Sequence, residues 1–268
     1  MNKYNPLYTL LLVLLIMGAF SSMAQNDYGQ TILGFVAFAF SLLFCYQLLV
    51  FRKSKELSPI INILELLSLI LLSAILGMRV FYIHFQFVEV IFAVAGLTLI
   101  IVYIVKLSVS WNFVRSMNKR LGIFVALFYL SIIFYSISMA IVPFIPSIAE
   151  PAGGTGFFFL ILFVGLSLAS KQFMIDGEKI SSIRFVSRFR DRSVLLITLF
   201  LIFTAYMGLT KIEILPKMYS DEFPQVYFKM VNDAEMGKEE PIDGKYKHER
   251  FKEKYDEFVS RQSGSDKK

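Results

Sequence analysis

Six runs of Leu, Ile, Phe, Val and Ala alternate with short stretches that collect the positive charge of this chain. The runs are 31–51, 59–80, 87–105, 121–147, 156–170 and 193–210. About 20 apolar residues carry a helix across the hydrocarbon core, and short cytoplasmic loops retain the excess of Lys and Arg. Thirteen of the sixteen Lys and Arg residues before position 215 fall into three clusters between the runs. They are Arg52, Lys53 and Lys55; then Lys106, Arg115, Lys119 and Arg120; then Lys171, Lys179, Arg184, Arg188, Arg190 and Arg192. Every second connection is therefore basic, which sets an orientation as well as a span count.

Composition agrees with this pattern. The chain is 56% hydrophobic and only 18% charged, outside the range of soluble domains. Residues 215–268 hold 11 Lys/Arg against 12 Asp/Glu, so the net charge of +6 comes from the membrane part. Orientation and attraction to anionic headgroups account for that excess, and no nucleic-acid partner is expected. The single cysteine, Cys45, lies in an apolar run and excludes an internal disulfide or a thiolate metal cluster. With two histidines, His84 and His248, on separate parts of the chain, no metal site and no cofactor are expected.

The fold expected is an all-α polytopic membrane bundle in three parts: 1–24, 31–214 and 215–268. The first, with Lys3, an apolar stretch Leu7–Phe20 and small residues at Ser22 and Ala24, reads as a signal peptide, with a first transmembrane helix as the alternative. Either way Gln25 lies outside and the remaining spans alternate from there. The Lys106–Arg120 segment reads as a loop, as does Glu150-Pro151-Ala152-Gly153-Gly154, where Pro and Gly suggest irregular backbone. The last span delivers 215–268 to the periplasmic side of a bacterial inner (cytoplasmic) membrane. In that tail Phe223, Tyr227, Met230 and Val231, then Phe251, Tyr255, Phe258 and Val259, recur at helical spacing. Two such helices are too few to bury both stripes on each other, so the tail is expected to dock elsewhere.

The run 59–80 carries the polar residues that matter most. Ser58, Asn62, Glu65 and Ser73 fall within about 80° on a wheel of 100° per residue. An ionisable group as deep as Glu65 costs about 2.5–3.5 kcal/mol to insert and normally faces a bundle interior or a wet cavity. One reading makes Glu65 a proton or cation site. The other makes it an interhelical hydrogen-bond partner of a stripe at Ser131, Tyr135 and Ser138. Arg79, His84 and Glu89 gather at the outer turn, where an Arg79–Glu89 bridge is expected. Arg184, Arg188 and Arg192 lie four apart, on one ridge of a helix, and are read as headgroup anchors.

No nucleophile–base set, phosphate loop, dinucleotide fingerprint or zinc motif occurs, so the chain reads as non-enzymatic. The expected function is a membrane subunit or scaffold of an envelope protein complex, contacting protein partners through the tail. The alternative is a small secondary transporter or channel component using Glu65. Whether Glu65 faces water or a dry helix contact separates them.

Overall fold

The computed structural model describes residues 5–23, 27–51, 59–81, 83, 87–117, 119–142, 144–169, 172–175, 178–181, 191–212 and 214–215. In the tail it describes Tyr255, Glu257, Phe258, Ser260 and Arg261. The fold is a bundle of long apolar helices: α1 (Asn5–Met23), α2 (Asp27–Phe51), α3 (Pro59–Val80), α4 (Val88–Met117), α5 (Lys119–Ile141) and α6 (Pro146–Ala169), followed by α7 (Asp191–Lys211). Six of them, α2 to α7, are long and apolar enough to cross a membrane, and α1 is a shorter apolar helix.

Consecutive helices pack as antiparallel neighbours from α1 through α6, while α7 touches α5 and α1 and closes the row. The polarity is that of a membrane bundle, with polar residues inward. On α3 the buried stripe contains Asn62, Glu65, Leu66, Ser68, Leu69, Leu72, Ile75 and Gly77. The opposite side presents Ile60, Ile63, Leu64, Leu67 and Leu71, as expected where lipid, not water, is the surrounding solvent. Aromatic rings fill the other side of the core. Phe163 of α6 sits with its ring centroid 4.6 Å from Phe124 and 5.3 Å from Phe128, both on α5.

Three segments differ from the sequence expectation. Helix α4 does not end at 105 but continues through Lys106 and Arg115 to Met117, a stretch with no Pro or Gly to interrupt it. Helix α6 begins ten residues before 156 and takes in the Glu150–Gly154 stretch. Pro146 occupies its first position, where a missing N–H costs nothing. Gly153 and Gly156 serve packing there. A Cβ at Gly156 would stand 3.0 Å from the backbone nitrogen of Tyr135, and one at Gly153 would stand 3.0 Å from Ser138 Oγ. Small residues let membrane helices approach this closely. Ser138 Oγ also donates to the Ala149 carbonyl at 2.7 Å, tying the end of α5 to the start of α6.

The third difference lies in the last basic segment, which contains an antiparallel hairpin of β1 (Gln172–Ile175) and β2 (Glu178–Ser181). Its register pairs Gln172 with Ser181 and Ile175 with Glu178.

In the tail the described positions are helical. Tyr255 is 1% exposed and Phe258 is half-buried, while Arg261 and Glu257 form an exposed pair one turn apart at 2.6 Å. Phe223, Tyr227 and Phe251 lie outside the described residues.

Candidate functional site

Glu65 is completely buried, six residues into α3. Its Oε1 accepts a hydrogen bond from the Tyr103 hydroxyl at 2.8 Å and an ion-pairing hydrogen bond from Lys106 Nζ. Its Oε2 accepts from Arg192 Nε at 2.8 Å. Arg192 extends the network by donating from Nη2 to Asn62 Oδ1 at 3.2 Å and from Nη1 to Gln47 Oε1 at 3.5 Å, the outer limit of a hydrogen bond. Gln47 Nε2 donates to the Tyr8 hydroxyl at 2.6 Å. Since Tyr103 has given its only proton to Glu65, Ser193 Oγ is the donor in their 3.2 Å contact. Lys106 Nζ also stands 4.7 Å from the centroid of the Tyr103 ring.

Helix geometry explains why these side chains converge. Asn62 and Glu65 are three apart on α3, and Tyr103 and Lys106 are three apart on α4, so each pair shares a face. The two helices run antiparallel, which brings the first turns of α3 level with Tyr103 and Lys106 of α4. Arg192 and Ser193 begin α7 at the same depth, Gln47 lies one turn from the end of α2, and Tyr8 lies near the start of α1. Five helices thus meet at one level on the face that carries the basic connections. One carboxylate is matched by two cations whose side chains are 11–12% exposed. Pairing of this kind removes most of the cost of burying a charge, and removing one partner restores it.

This arrangement corrects two expectations. Arg192 is not on an exposed ridge with Arg184 and Arg188: it is 9% exposed and ion-paired inside the bundle. Arg192 and Ser193, in the first turn of α7, turn inward; Arg184 and Arg188 lie outside the described residues. Nor does Glu65 meet Ser131, Tyr135 and Ser138. At 1.5 Å per residue, Glu65 lies about 9 Å from the start of α3, and Tyr135 about 24 Å from the start of α5 on the same face, a depth mismatch of most of a bilayer leaflet. Tyr135 instead bonds to Thr204 of α7 and stacks on Phe200, ring centroids 4.5 Å apart. Ser131 is fully buried, and its hydroxyl has no hydrogen-bond partner among the described residues.

No protein family, curated protein or solved structure matches this chain. The chemistry of the site therefore rests on its own residues.

At the opposite face Arg79, on the last turn of α3, pairs with Glu89, on the first turn of α4. The Arg79 guanidinium lies 4.1 Å over the Phe92 ring. Gln30 of α2 donates to the Val80 carbonyl beside this pair. His84 lies outside the described residues. Arg79→Leu is expected to lower stability in detergent by about 1.5–3 kcal/mol, the range for a charged hydrogen bond whose partner stays buried. Glu89→Gln keeps an acceptor for Arg79 and should cost less. Equal unfolding midpoints for Arg79→Leu and wild type would mean that the interface screens this pair completely.

Sequence reasoning singled out Glu65 and Asn62 but missed Tyr103, Lys106, Gln47 and Ser193. A signal for Lys106 was present but shared: it directly adjoins an apolar run, as a buried counter-ion for Glu65 must, and so do Arg52, Arg120, Lys171 and Arg192. Among the described residues no group of His, Cys, Asp and Glu is placed to hold a metal ion.

Proposed function

We propose that this chain is a non-enzymatic integral subunit or scaffold of a membrane protein complex, with its basic connections in the cytoplasm and its tail in the periplasm of a bacterial inner membrane. The observation that carries this reading is the state of Glu65: no exposed surface and both oxygens occupied by Tyr103, Lys106 and Arg192. A carboxylate that moved ions or protons through a channel would need water or substrate within reach. Glu65 is a charge-compensated helix contact, suited to holding five helices in register. The three basic clusters support the orientation. The tail, with its apolar stripes and charged remaining faces, supports contact with a protein partner, and the positive charge needs no nucleic acid to explain it. The burial of Tyr255 means that part of the second stripe is covered by the chain itself, leaving the first stripe and Phe251 as the proposed partner contact.

Two measurements test this. In a Cys45→Ser background, Ser182→Cys should resist an impermeant maleimide in sealed spheroplasts and react after lysis, while Ser263→Cys should react in both. The converse labelling would reverse the orientation. Deleting 220–268 should leave the helices inserted and release a protein that co-purifies stoichiometrically with the full chain in mild detergent. An unchanged set of co-purifying proteins would end the docking proposal.

A further inference from the structure

A leader removed after export has no reason to be built into the mature interior, yet α1 is. Its inner side packs Leu11, Leu12, Leu14 and Leu15 against the core, and Tyr8 is 4% exposed. Its outer side presents Leu7, Leu10, Val13, Met17 and Phe20, the pattern of the neighbouring spans. At 1.5 Å per residue its 19 residues span about 28 Å, close to the hydrocarbon thickness of about 30 Å. Ser22, in the stretch Ser22-Met23-Ala24 that resembles a cleavage site, meets α2 directly. A Cβ at Gly29 would lie 2.1 Å from the backbone nitrogen of Ser22, and Ser22 itself is 4% exposed. A peptidase requires these residues extended and accessible, whereas Ser22 and Met23 are the last residues of a packed helix.

The second observation is chemical. The Tyr8 hydroxyl receives the Gln47 amide, and the other end of that amide accepts from Arg192. The Tyr8 ring also lies beside Phe44 on α2, centroids 6.4 Å apart. Without α1, Gln47 Nε2 would face lipid with its donor free, which a bilayer interior penalises.

We infer that α1 is a permanent seventh membrane helix, with its N-terminus on the basic face, and that Tyr8 holds Gln47 in position against Arg192. The start and end of the described chain then lie on opposite faces of the membrane. This inference stands whether or not the proposed function is correct.

The test uses the full chain carrying a C-terminal affinity tag, extracted from membranes. Intact mass should show the 30.7 kDa chain plus tag, with residues before α1 present. A mature N-terminus at or near Gln25 would overturn the inference. Thermal unfolding in detergent then tests the role of Tyr8. Tyr8→Phe should lower the midpoint by a few degrees with the N-terminus still intact. Gln47→Leu should lower it further, and the double variant should fall no lower than Gln47→Leu alone, because both changes break one chain of contacts. An unchanged midpoint for Tyr8→Phe, or strictly additive losses, would remove Tyr8 from the network even if α1 is retained. Should Gln47→Leu fail to accumulate, the mass and the conservative Tyr8→Phe variant still decide the matter.

Discussion

Glu65→Leu is expected to destabilise the bundle by about 3–5 kcal/mol, the range for removing one partner of a buried ion pair. The lost contacts are only part of this. Lys106 and Arg192 would remain at 11–12% side-chain exposure with no carboxylate to compensate them, and Tyr103 would lose its acceptor. Glu65→Gln should also be costly, because the amide still accepts hydrogen bonds but carries no charge. Combining it with Lys106→Met removes one cation and restores the original local net charge of +1, so the double variant should recover part of the loss. Arg192→Lys should behave as a loss of function in the network. One ammonium cannot reproduce the planar fork that reaches Glu65, Asn62 and Gln47 together. Unfolding midpoints in a denaturing detergent titration would measure each variant. Wild-type stability for Glu65→Leu would mean that the carboxylate contributes nothing to holding the helices, and the scaffold reading of this site would fall with it.

Gly96→Ala is expected to destabilise by about 1–3 kcal/mol, the usual range for overpacking, although alanine is the better helix former. A Cβ at Gly96 would stand 2.7 Å from the Cβ of Ala140 and 3.3 Å from its Cα, so α4 and α5 would have to separate. Ala140 is 2% exposed and lies one residue before the end of α5, which leaves it no room to yield outward. The discriminating variant is the swap, Gly96→Ala with Ala140→Gly. It restores one methyl group to the contact and should recover most of the lost stability, whereas Ala140→Gly alone should cost about 0.5–1 kcal/mol through backbone entropy. A swap as unstable as Gly96→Ala alone would show that the clash is with backbone or with a third helix.

How far these features were legible in the sequence depends on their range. The bounds of α3, 59–80, follow from hydropathy and from Pro59, both local properties, and they are the bounds found. The same local logic identifies Glu65 and Asn62 as inward-facing, because a lipid-facing carboxylate at that depth is too costly. Gly153 was misread because glycine has two opposite uses. In water it breaks helices, and between membrane helices it permits close approach, so only the presence of α5 beside it decides which applies. Arg192 was misread for a related reason. A cation at the end of a span reads identically whether it reaches out to headgroups or turns in toward a carboxylate.

The amino-acid sequence by itself determined the apolar spans, their alternation and the face that carries the positive charge, because each depends on residues close together in the chain and on the thickness of the bilayer. The tertiary structure alone decided that Glu65 meets Lys106 and Arg192, 41 and 127 residues away, that Tyr135 meets Thr204 instead, and that α1 belongs to the bundle. Those choices depend on the depth and rotation of whole helices relative to one another, which are set by how their side chains interlock and not by any one segment's composition.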